Sequence, residues 1–103
     1  YMGRPSWRDS DYPSNYSKLD NLMKSTSSVK YYLIIKETLH LDYTDAPLYS
    51  PIIKYVVDVG SLPSSISIST VNRLVKGFLD SHLMNKPHEE FRSILSSPLI
   101  VNL

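Results

Sequence analysis

Residues 29–41 read VKYYLIIKETLHL, and the architecture turns on this run. Its β-branched and aromatic side chains suit a strand, while its length suits a helix buried on most sides. We read it as a helix, capped at Ser28 and stopped by the turn DYTDAP with its Pro47. On that reading the chain is mainly α: a small domain of five or six helices, with one short strand or hairpin near the C-terminus.

Working outward, SKLD (residues 17–20) has the capping-box form, a hydroxyl followed three residues later by a carboxylate. A short helix should run from there to about Ser25, with Leu19, Leu22 and Met23 on one side. Residues 1–16 mix Gly, Pro and Ser with isolated aromatics. They read as an extended arm that lays Trp7 and one or two tyrosines on a single helical domain at 17–103. The start lacks an initiator methionine and a signal-peptide centre, so the expectation is an intracellular domain, nuclear or cytoplasmic, from a larger protein.

Downstream, SPIIKYVVDVG (residues 50–60) is punctuated as a helix. Ser50 caps it, Pro51 takes the first helical position, and Gly60 is expected to close it in the left-handed conformation. Ile52, Ile53, Val56 and Val57 would form its apolar stripe. A seven-residue turn, SLPSSIS, leads into a longer helix whose Val71, Leu74, Val75, Phe78, Leu79 and Leu83 recur at steps of three and four, the spacing of one buried face. Pro87 followed by Glu89 and Glu90 starts another helix with Phe91, Ile94 and Leu95 inside, and PLIVNL reads as a short terminal strand.

Composition narrows the function classes. Eleven basic residues against ten acidic ones give a net charge of +1, so no long-range positive field draws the chain to nucleic acid. With no cysteine, disulfides, thiol nucleophiles and cysteine-based zinc sites are excluded. No apolar run approaches the roughly 20 residues of a membrane span. His40, His82 and His88 lack the spacing of a metal pair on one helical face. Asp42 and Asp45 flank a turn, and Gly3, Gly60 and Gly77 are too scattered to cradle a phosphate. We therefore expect neither enzymatic activity nor a cofactor, a metal or a small-molecule substrate.

The stretch ISISTVNRLVKGFLDSHLM (residues 66–84) resembles the recognition-helix half of winged helix-turn-helix domains. Ser69, Thr70, Val71, Arg73, Leu74, Val75, Leu79, Leu83 and Met84 carry the likeness. The order of expected elements extends it to residues 28–103. The resemblance implies Thr70, Asn72, Arg73 and Lys76 as binding positions: hydroxyls and backbone N–H groups for phosphates, Asn72 for a base edge, and the two cations one turn further along. The chain departs from the pattern in its long turn, in Gly77 and in a helix with two glutamates where a basic wing would stand.

Winged-helix domains also serve as protein docking modules, and eight tyrosines with Trp7 suit an interface. The leading expectation is a non-catalytic interaction or assembly domain of a nucleic-acid-handling complex, with a protein partner on that helix. The alternatives are direct DNA binding and a nucleoprotein-docking module of a viral polymerase cofactor.

Overall fold

A computed structural model describes residues 1–50 and 52–103, without the side chain of Lys54. Residues 29–41 are not a helix. Leu33–Ile35 is a strand, β2, at the centre of a three-stranded mixed sheet. Met2–Gly3, β1, pairs with it in parallel, Met2 opposite Leu33. Ile100–Asn102, β3, pairs antiparallel on the other side, Ile34 opposite Val101. The terminal strand expected in PLIVNL is present; the parallel strand at the other end of the chain was not expected.

The reason for the misreading lies in the sheet's surroundings. Leu33 and Ile35 face one core with Leu74, Phe91, Ile94 and Ile100. Tyr32 and Ile34 face a second with Tyr16, flanked by Trp7, Leu19 and Met23. A strand covered on both faces has no polar alternation to betray it and reads as a continuous apolar run. The fold is a small α/β domain: it is largely helical as expected, but a three-stranded mixed sheet stands where one short strand or hairpin was expected.

Trp7 and Tyr1 pack onto the rest of the chain as expected, but residues 1–16 do so as a strand, a helical turn and the start of a helix, not as an extended arm. After β1, a π-helical turn at Trp7–Asp11 leads into α1, Pro13–Ser25. This helix starts at its proline, four residues before the expected cap, so Ser17 and Asp20 lie within it, and Asp20 meets Arg8 at 3.1 Å. Trp7 stacks on Tyr43 with ring centres 5.8 Å apart. Tyr1 meets Tyr32 edge-on at 5.2 Å. Burial pushes the phenols of Tyr16, Tyr32 and Tyr43 above their ordinary value of 10.0, because ionising them would strand a charge away from water.

Residues 50–60 are not a helix either, and Pro51 lies outside the described residues. The segment holds a 3-10 turn at Ile53–Tyr55 after a one-turn helix, α2, Ala46–Tyr49. Ile52 and Val56 of the expected stripe point to solvent. β-branched residues are weak helix formers, and a helix here would have needed a surface for its stripe. Gly60 has no positive φ. It is required for space: a Cβ there would lie 2.0 Å from the Glu37 carbonyl oxygen.

That close approach is organised by Asp42, in the 3-10 turn His40–Tyr43. Its carboxylate is fully buried. Oδ2 accepts the N–H groups of Leu39 and Gly60, each at 2.7 Å, and Oδ1 lies 3.4 Å from the Ser67 hydroxyl. One carboxylate thus ties the loops at 37–42 and 58–62 to the start of α3, the helix Ser64–His82. α4, Glu89–Leu95, follows as expected, with Phe91 and Ile94 buried against the sheet side of α3.

Candidate functional site

α3 is 19 residues long and begins at Ser64, so most of the expected turn SLPSSIS belongs to its first turn. Ser69 and Thr70 are then its sixth and seventh residues. Only the first four N–H groups of a helix lack internal partners, so the proposed phosphate-facing hydroxyls sit beside backbone that is already satisfied. Thr70 is half-buried, while Asn72, Arg73 and Lys76 are exposed.

The structure brings Arg73 and Lys76 onto one ridge and surrounds them with acids. Arg73 Nε lies 3.9 Å from Glu90 of α4. Lys76 pairs with Asp80 one turn on, and Lys86 reaches the same carboxylate at 3.5 Å. The hydrogen bond to Asp80 raises the Lys76 pKa, and the same bond lowers that of Asp80. A cleft of about 340 Å³ beside the ridge is lined by Lys76 and Lys86 together with Asp80, Glu89 and Glu90. Cations that meet phosphates do best in a positive local field; here a carboxylate stands beside each and lowers it.

The face expected to be buried is the second correction. At 100° per residue, the apolar side chains from Leu74 through Phe78, Val71, Val75 and Leu79 to Leu83 sweep about 180° around α3. Only one end of that arc is covered. The buried positions are Ser67, Leu74, Gly77 and Ser81, an arc of about 80° made largely of small residues. They let Phe91 of α4 come so close that a Cβ on Gly77 would lie 3.0 Å from its ring. Val75 and Leu79 are each 42% exposed, Phe78 is 38% and Leu83 71%.

Val75, Phe78 and Leu79 form one wall of an apolar groove of about 370 Å³, while Leu83 lies outside it. Met23, Val29 and Tyr31, from the end of α1 and the approach to β2, form the other wall, and Leu33, Leu74 and Phe91 close its floor. Lys30 is the one charged side chain in the lining; its ammonium caps α1 by donating to the carbonyls of Met23 and Thr26. The chain matches no family model, no curated protein and no solved structure. The winged-helix pattern also loses its supporting elements, since a strand and a 3-10 turn occupy the places of the two helices it needs ahead of α3.

The histidines come together more than their spacing suggested. His82 and His88 lie 5.4 Å apart between ring centres, with His82 packed on Phe78 at 4.8 Å. Among the described residues no group of three or more histidines or carboxylates could hold a metal ion. None of their helices is long and apolar enough to cross a membrane.

What sequence reasoning missed is the second wall. A signal for it was present in the width of the apolar arc on α3, which exceeds what one layer of neighbours can cover.

Proposed function

We propose that this is a non-catalytic protein-interaction domain that receives an apolar segment of a partner in the groove between α3 and the α1–β2 connection. The observation that carries the reading is the exposure of Val75, Phe78 and Leu79 beside Met23 and Val29 in one concavity. Contiguous apolar surface of this kind, with a polar ridge alongside, is how soluble domains present docking sites.

The paired state of Arg73 and Lys76 argues against reading a duplex with this helix, and with it goes the main support for a nucleic-acid-handling assembly. The proposal is therefore confined to protein docking, with Thr70, Asn72, Arg73 and Lys76 as rim positions of secondary weight.

Selection of random peptides displayed on phage tests the reading directly. Binders should carry two or more large apolar anchors and lose at least about tenfold in affinity on Val75→Lys or Leu79→Lys. A selection that returns no binder, or binders indifferent to both substitutions, would overturn it. In parallel, titration with a short duplex at low salt should give no binding that Arg73→Ala or Lys76→Ala weakens.

A further inference from the structure

One edge of the sheet borders the groove. In the order β1-β2-β3 the first strand has a single neighbour, and Tyr1 and Met2 both line the groove. The main chain at this edge divides by direction. Tyr1 turns its polar groups toward the β2 side: its amine donates to the Tyr31 carbonyl at 2.9 Å, and its carbonyl accepts the Leu33 N–H at 3.0 Å. Successive residues of a strand direct their N–H and C=O groups to opposite edges. Met2, opposite Leu33, therefore points its own N–H and C=O away from β2. Among the described residues no strand pairs with that side of β1.

The faces divide as well. The Met2 side chain packs against the core that holds Leu74 and Phe91, whereas the Tyr1 ring meets Tyr16 and Tyr32 on the opposite face. A further strand would lie about 4.8 Å beyond β1. Its side chain opposite Met2, and those two residues to either side, would stand on the Met2 face, where Met2 shares the groove with Val75 and Leu79. The side chains in between would turn toward the Tyr1 face.

We infer that the groove's occupant is an extended segment of a partner protein, which adds to β1 as a fourth strand and sinks large apolar side chains from alternate positions beside α3. The inference rests on the docking reading above and states the backbone form of what docks. Complementarity of main-chain dipoles selects this occupant. A helix satisfies its own N–H and C=O groups and leaves those of Met2 as they are, whereas a strand carries an unpaired row of both. Edge addition draws affinity from the main chain and specificity from pockets for alternate side chains. The opposite edge offers main-chain groups without a pocket, since no residue of β3 lines the groove. With β1 only two residues long, the edge fixes the direction and spacing of the segment, and the apolar anchors supply the larger part of its affinity.

Peptides selected from the display library test this through their spacing. Large apolar anchors should recur at every second residue; recurrence at three and four, the spacing of a helix face, would overturn the inference. Methylating the peptide's main-chain nitrogens one at a time gives a second reading. The Kd measured by calorimetry should rise at least about fivefold where the N–H faces β1, and stay near the parent value at the residues between.

On the protein side, Met2→Pro removes the outward N–H and leaves the bonds of Tyr1 to the β2 side in place, the position at which an edge strand tolerates proline. It should bind about fivefold more weakly than Met2→Ala, which removes the side chain alone, and circular dichroism of both should match the parent. If Met2→Pro does not fold, the methylation series on the parent chain decides. Binders that Val75→Lys abolishes but that show no alternation would reject the strand and leave the docking function standing. A library without groove binders would remove the docking reading and this inference with it.

Discussion

The two sides of α3 invert the usual expectation. The covered side carries Ser67, Gly77 and Ser81 around a single Leu74; the open side carries Val75, Phe78, Leu79 and Leu83. If hydrophobicity alone decided orientation, the helix would be turned by about 100°. Close approach decides instead. A small-residue stripe admits Phe91 and the Asp42 carboxylate to near contact, and dense packing with satisfied polar groups outweighs the apolar surface left on the other side. Burial shows which side builds the domain, and apolar exposure shows which side is available to others.

The most severe way to break that contrast is to remove the anchor of the covered side. Asp42→Ala would leave the part-buried Leu39 and Gly60 N–H groups without their acceptor, while the Ser67 hydroxyl keeps the Ser64 carbonyl at 3.0 Å; the loss should cost about 2–4 kcal/mol, and urea unfolding should show the midpoint fall. Gly77→Val comes next. With 3.0 Å from the Cβ position to the Phe91 ring, overpacking should cost about 1–3 kcal/mol in the same measurement.

Alkali probes the buried tyrosines. Tyr16, Tyr32 and Tyr43 have folded pKa values raised by burial. Their contribution is therefore complete below pH 10 and is lost as pH rises from 10 toward the folded values. Circular dichroism should show stability declining only above that point, together with the rise in tyrosinate absorbance.

The open side sharpens the contrast from the other direction. Leu79→Lys should change stability by no more than about 0.5 kcal/mol while abolishing peptide binding, a separation that no substitution on the covered side can produce. The smallest effect belongs to the ridge: Lys76→Ala should leave both stability and peptide binding near parent values, since an exposed pair contributes little.

The legible parts of the fold were those with local punctuation. Pro87, Glu89 and Glu90 mark α4 wherever it packs, and PLIVNL carries strand character in its own composition. The body of α3 follows from periodicity. Residues 33–35 could not be assigned that way, because what makes them a strand is supplied by Met2–Gly3 and Ile100–Asn102, at opposite ends of the chain.

The candidate site divides similarly. The exposure of Arg73 and Lys76 could be read from helical phase, but the pairing of Arg73 with Glu90 is a tertiary event. The groove needed Met23 and Val29 brought alongside α3, which no spacing within α3 reveals.

The position of β2 between the first and last strands has a consequence for genetics. Residues 2 and 102 sit on either flank of one strand, roughly 10 Å apart across two ladder spacings. A short flexible bridge should therefore join them, and new ends could be opened elsewhere. The same proximity would let the unit be spliced into a surface loop of a host protein without prising that loop apart.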